Sequence, residues 1–124
     1  MNFKIDTREK FTIITPLSDS LSDNLTAEFL SIANGYKQNK INLVINFKNV
    51  TNINEQVIEQ IAALQHEFYD SNISFVLCEL TQPALSLINQ HDFDKVLNIT
   101  VSETEAWDIV QMEEIERELL GGDE

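Results

Sequence analysis

Glycine, cysteine, histidine and positive charge are all scarce in this chain, and each shortage removes a class of function. The three glycines among the 124 residues stand at positions 35, 121 and 122. A nucleotide-phosphate loop needs glycines so that the backbone can close on the phosphates, so intrinsic NTPase or kinase chemistry is excluded. The single cysteine, Cys78, cannot form an internal disulfide. It alternates within an apolar run and has no basic neighbour, which reads as a small core residue rather than a nucleophile. The two histidines, His66 and His91, make no metal set. His66-Glu67 opens like a zinc-protease motif, but position 70 holds an aspartate. His91 reads as a solvated loop residue. No metal and no cofactor are expected. Lys and Arg number eight against 21 Asp and Glu, for a net charge of −13. Such a field repels nucleic-acid phosphates and anionic membrane surfaces. Long apolar runs are missing too, none approaching the ~20 residues that a membrane-spanning helix needs. The opening MNFKIDTREK lacks the apolar core of a secretory signal. The expectation is a cytoplasmic protein without nucleic-acid contact or direct membrane insertion.

What remains fits one globular domain with an ordinary apolar content of 43%. The acidity is regional. Residues 1–48 hold six basic and five acidic side chains, whereas residues 49–124 hold two basic ones, Lys95 and Arg117, against sixteen acidic. A basic partner and simple solubility account for this asymmetry equally well.

Hydrophobic patterning predicts the elements. Residues 3–6 and 11–15 (FTIIT) read as strands, the second ended by Pro16. A serine- and aspartate-rich loop follows. A helix over 24–34, capped by Asp23 and stopped by Gly35, would turn Leu25, Phe29, Ile32 and Ala33 inward. Residues 41–47 (INLVINF) are apolar enough for a central strand. A second helix, from 54 or 55 to about 69, carries Val57, Ile58, Ile61, Leu64 and Phe68 at helical spacing, with Asn52 and Glu55 as its capping box. Residues 73–80 form another buried strand. Thr81-Gln82-Pro83 opens a short helix ending near Gln90, and residues 96–99 (VLNI) form the last strand. Ser102 and Glu105 form the capping box of a closing helix packed through Ala106, Trp107, Ile109 and Val110. Residues 111–124 read as a C-terminal helical extension and acidic tail, with Gly121-Gly122 ending the helix and Asp123-Glu124 fraying. Within it Met112, Ile115 and Leu119 make an apolar stripe among acids, which finishes the fold or lies solvated, the functional alternative being a short partner-docking helix with an acidic rim. Strands separated by helices predict an α/β domain. Its sheet would be mixed and mostly parallel, of about five strands, with about four helices mainly on one face.

The stretch 42–61, NLVINFKNVTNINEQVIEQI, is the most telling. An apolar strand runs into a polar turn and straight on into an amphipathic helix. It resembles the signature segment of the STAS family, the bacterial anti-sigma-factor antagonists. In that family the turn reads Asp-Ser-Ser-Gly, and a partner kinase phosphorylates the first serine. FTIITPLSDSL is similar to the family's second strand and Gly-x-Leu-Asp loop, with Pro16 near the glycine and Asp19 at the aspartate. ISFVLCELTQPALSLINQHDFDKVLNI resembles its strand–helix–turn–strand stretch, where a glycine-leucine pair often stands at the positions of Asp92-Phe93. The likeness covers residues 3–110, and it implies a STAS-like single domain over 1–124. The departures fall on the switch: Asn54 replaces the aspartate, Glu55 the phosphorylated serine, Gln56 the second serine and Val57 the glycine.

The resemblance implies a non-catalytic protein-binding regulator whose partner is a serine-kinase-type anti-sigma factor. Its partner-binding residues would be Ser18, Asp19, Ser20, Ser22 and Asp23 in the loop, and Asn52, Asn54, Glu55 and Gln56 in the turn. Glu55 takes the phosphoacceptor-equivalent position. A phosphate brings about −1.5 to −2 charges and three acceptor oxygens; a glutamate brings one charge and two oxygens. Three readings of Glu55 stay open: a permanent partial phosphate mimic, a salt-bridge partner for a basic groove on the partner protein, or a helix-start residue favoured by the macrodipole by ~0.3–1 kcal/mol. Thr51 is the nearest remaining hydroxyl. The alternative function is a STAS-type structural or regulatory subunit of a transporter or signalling complex, which the missing serine favours. An enzyme is disfavoured because no catalytic set converges. A monomer or weak dimer is expected.

Overall fold

The computed structural model describes residues 2–121. Five strands lie in chain order across one sheet: β1 (Phe3–Thr7), β2 (Thr12–Pro16), β3 (Leu43–Asn46), β4 (Phe75–Cys78) and β5 (Ile99–Thr100). β1 and β2 form an antiparallel hairpin, and every later neighbour pairs in parallel. Helices α1 (Asp23–Gln38), α2 (Glu55–Asp70) and α3 (Gln82–Gln90) connect successive parallel strands, and α4 (Glu103–Gly121) closes the chain. This is the mixed, mostly parallel α/β architecture that the element order predicts.

Because strand side chains alternate, each central strand feeds two cores. Ile14, Leu43, Ile45, Phe75 and Leu77 point to one face, where Phe29 and Ala33 of α1, Ile58, Ile61, Leu64 and Phe68 of α2 and Ile88 of α3 cover them. Ile13, Val44, Val76 and Cys78 point to the other, where Ala106 and Val110 of α4 meet them. Three helices on one face therefore leave α4 alone on the second.

Several boundaries differ from the sequence expectation, each for a local reason. α1 is capped by Ser22, not Asp23: the Ser22 backbone is extended and its Oγ accepts from the Leu25 N–H at 3.3 Å. Gly35 does not stop α1, which runs on to Gln38 and ends at Asn39. Asn52 does not cap α2, since its backbone bridges to Ser20; Asn54 does so instead, its Oδ1 accepting from the Val57 N–H at 2.9 Å. The last strand is not 96–99. The Val96 and Leu97 N–H groups both turn back to the Phe93 carbonyl at 3.1 Å, and pairing begins only at Ile99 against Leu77. Trp107 is exposed rather than packed on the sheet. Ser102 behaves as predicted, its Oγ accepting from the Glu105 N–H at 3.2 Å. The predicted end at Gly122 and the Asp123-Glu124 tail lie outside the described residues.

Residues 111–121 continue α4 without a break, and Arg117 ties this stretch to the sheet. Its guanidinium donates to Ser74 Oγ at 3.3 Å and to Asn42 Oδ1 at 3.4 Å. Asn42 in turn donates to Glu114 at 2.7 Å and accepts from the Ser74 N–H at 2.8 Å.

Gly35 has only vacant space where a Cβ would stand, and its φ is not positive. Gly35→Ala is therefore expected to raise stability by about 0.5–1 kcal/mol, because alanine loses less backbone entropy on entering a helix. Urea denaturation of the two proteins measures it; a destabilised variant would show that this turn needs glycine.

Candidate functional site

The site residues come from two loops at the carboxyl ends of β2 and β3. The chain leaves β2 at Pro16 and has to reach the start of α1, while the chain leaving β3 has to reach the start of α2 beside it. Unpaired backbone groups in the two loops satisfy one another. The Asp19 carbonyl accepts from the N–H groups of Thr51 and Asn52, both at 2.9 Å, and from Thr51 Oγ1 at 3.3 Å. Ser20 and Asn52 form a parallel bridge, and the Leu21 N–H donates to the Asn52 carbonyl at 3.3 Å. Ser18 Oγ accepts from the Ser20 N–H at 3.3 Å. Asn49 Nδ2 reaches back to the Pro16 carbonyl at 3.1 Å, closing the base of the pair. Leu21 and Val50 anchor the loops in the core.

The structure thus brings all nine predicted residues to one end of the sheet, in different roles. Ser22 and Asn54 are helix caps. Ser18 and Ser20 are half-buried supports. Asp19, Asn52, Glu55 and Gln56 present exposed side chains. Asp23 opens α1 and, with Gln56, lines the mouth of a shallow groove of about 390 Å³ between α1 and α2. Thr26, Leu30 and Val57 line the same groove. Glu55 is the first residue of α2, so its carboxylate sits at the positive end of the helix macrodipole.

Two contributors escaped the sequence reading. His91 is exposed, as expected, but it caps the end of α3, and its Nδ1 lies 3.2 Å from Glu55 Oε1. The pair is ionic whenever the imidazole is protonated. No spacing in the sequence signals it, because 36 positions separate partners that meet only once α2 and α3 are packed. Thr81 is the other. Its Oγ1 donates to the Val50 carbonyl at 2.7 Å and ties the start of α3 to the turn. Asp92, after His91, has a φ of 61° and ψ of 20°. That left-handed conformation favours glycine, the residue that the resemblance places at this position. Among the described residues no group of His, Cys, Asp and Glu is set to hold a metal ion, and no helix is long and apolar enough to cross a membrane.

No protein-family profile and no curated protein matches the chain. Solved structures do. An anti-sigma-factor antagonist (STAS) domain protein from Planctomyces limnophilus superposes with a TM-score of 0.71 at 15% identity, over 84% of this chain and 92% of that one. A putative anti-sigma factor antagonist from Thermotoga maritima gives 0.77 at 13%, over 88% and 94%. The Bacillus cell fate determinant SpoIIAA in its phosphorylated form gives 0.66 at 13%, over 87% and 98%. At such identities the likeness is one of chain path, and that path, with its loop-to-helix corner at Glu55, is the fold of a STAS domain.

Proposed function

We propose that this protein is a non-catalytic binding regulator that docks a serine-kinase-type anti-sigma factor through the 18–23 loop and the 52–56 turn, with no phosphorylation switch. The observation that carries the reading is the placement of Glu55. It stands exposed at the first position of α2, beside the 18–23 loop, on a fold shared with anti-sigma-factor antagonists. A fixed carboxylate there supplies charge without a kinase step, and His91 orients it. A cationic side chain on the partner would compete with the imidazole for the same oxygens. Work in the cytoplasm as a monomer or weak dimer fits this role.

The test is calorimetric titration of the protein against each purified serine-kinase-type anti-sigma factor of its source organism. At least one is expected to bind in the micromolar range or tighter, and Glu55→Lys is expected to weaken that binding by at least about tenfold, the equivalent of one lost interaction worth ~1.4 kcal/mol. Glu55→Ser, with kinase and ATP, is expected to gain a phosphate at position 55. No binding to any of these proteins would overturn the reading. It would leave the second reading, a STAS-type subunit of a transporter or signalling complex, which the absence of a serine at position 55 favours.

A further inference from the structure

The outer face of α4 carries an apolar row that the fold does not use. Trp107, Ile115 and Leu119 share one i, i+4 row, interrupted by the half-buried Gln111, with Met112 on the adjacent row. Ile115, Leu119 and Met112 lie on the side of the helix away from Ala106 and Val110, which pack on the sheet, and Trp107 lies on the flank between the two sides. Trp107 is 41% exposed, Met112 57%, Ile115 55% and Leu119 76%. Side chains of this kind leave water when something can cover them.

Charge decides what can. Glu105, Asp108, Glu116 and Glu118 flank or interrupt the row, and all four are exposed. Among the described residues no cation lies within ion-pairing distance of any of them. The one basic residue of α4, Arg117, is turned to the sheet, on Ser74 and Asn42. A second copy laid on this face would bring an identical acidic rim against the first, on a chain of net charge −13. The row is also short: from Trp107 to Leu119 the helix rises about 18 Å. That is between three and four helical turns, a length that a single partner helix can cover. The grooves beside an i, i+4 ridge accept the ridge of another helix.

We infer that the outer face of α4 is a docking surface for a basic amphipathic helix of a partner protein, aliphatic along one side and flanked by Lys and Arg. This surface is separate from the corner at Glu55. Trp107 is the sole tryptophan of the chain, so its fluorescence reports directly on occupancy. The probe is a synthetic peptide of about three helical turns, leucine on one face and lysine on the flanks. Titration is expected to give a saturable blue shift of Trp107, with affinity falling at least tenfold between about 50 mM and about 500 mM salt, as rim charges are screened. The charge-neutral double substitution Ile115→Ser and Leu119→Ser, made on exposed positions so that the thermal midpoint serves as a folding control, is expected to weaken the peptide at least tenfold. A control peptide with serine in place of leucine is expected to leave Trp107 unchanged. Equal binding of both peptides, or of the wild type and the double variant, would reduce the effect to general attraction between opposite charges and overturn the inference. Sedimentation showing that α4 instead pairs with a second copy, and that the double substitution abolishes that pairing, would overturn it as well.

Discussion

Phe68→Ala is expected to lower the free energy of unfolding by about 3–5 kcal/mol, the range for deleting a buried aromatic ring. Phe68 is fully buried on the inner face of α2, with its ring centroid 5.0 Å from that of Phe75 on β4. The rings are tilted by 39°, an arrangement that adds to the area they bury. Truncation would leave a cavity lined by the sheet and the adjoining helix, and close packing elsewhere leaves little room for collapse. Domains of this size are held by only about 5–15 kcal/mol, so the loss is a large share of the whole. Urea denaturation should show it as a midpoint lowered by more than about 1 M with an unchanged slope. A loss under about 1 kcal/mol would mean that α2 is not seated on β4 as described. The consequence reaches the candidate site, because α2 carries Glu55 at its first residue and the corner between the 18–23 loop and the 52–56 turn keeps its shape only while this helix stays packed.

Most of this fold was legible because two periods alternate plainly along the chain. Apolar runs such as LVIN and FVLC mark strands buried on both faces, and the Val57, Ile58, Ile61, Leu64, Phe68 spacing marks α2. Legibility failed where the outcome depends on which of two neighbouring groups wins a hydrogen bond. Ser22 and Asp23 are both good caps, and only the extended backbone at Ser22 decides between them. VLNI has strand composition, yet the Phe93 carbonyl captures the N–H groups of Val96 and Leu97 and shortens the strand. Gly35 looks like a stop, but Tyr36, Lys37 and Gln38 carry the helix past it. For the candidate site, the meeting of the 18–23 loop with the 52–56 turn was readable from the resemblance, whereas the contacts of His91 and Thr81 were not. Both act across a tertiary contact to residues more than two dozen positions away. The exposed row on α4 was readable as a stripe, but not its orientation, since a helix of mixed acids and aliphatics shows no sharp inward face until Ala106 and Val110 are seen on the sheet.

Alkaline pH is expected to destabilise the native protein through Cys78, and the sign follows from where the thiol sits. Cys78 is fully buried on the α4 side of β4. Burial is the main cause that pushes its thiol from the ordinary 9.0 up to about 12, with the carboxylates of Glu103 and then Glu79 adding to it. Those two carboxylates are held in place by a single amide: Asn46 Nδ2 donates to Glu79 at 2.9 Å and to Glu103 at 2.7 Å. The folded state therefore keeps a proton that the unfolded chain releases. Between pH 9 and about 12 the unfolded state binds fewer protons, so unfolding becomes more favourable as pH rises. The contribution is intact below pH 9, and across that window it is lost at about 1.4 kcal/mol per pH unit. Lysines and tyrosines titrate in the same range, so the wild-type curve alone is not diagnostic. The difference from Cys78→Ala is, because every other group is common to both. Cys78→Ala is expected to be less stable than the wild type near neutral pH, having lost a buried sulfur, and to decline more gently above pH 9, so that the two curves converge. Urea unfolding measured from about pH 8 to about pH 10.5 reads this directly. Parallel curves would mean that the thiolate is tolerated in place, which neither the apolar surroundings nor the two adjacent carboxylates allow.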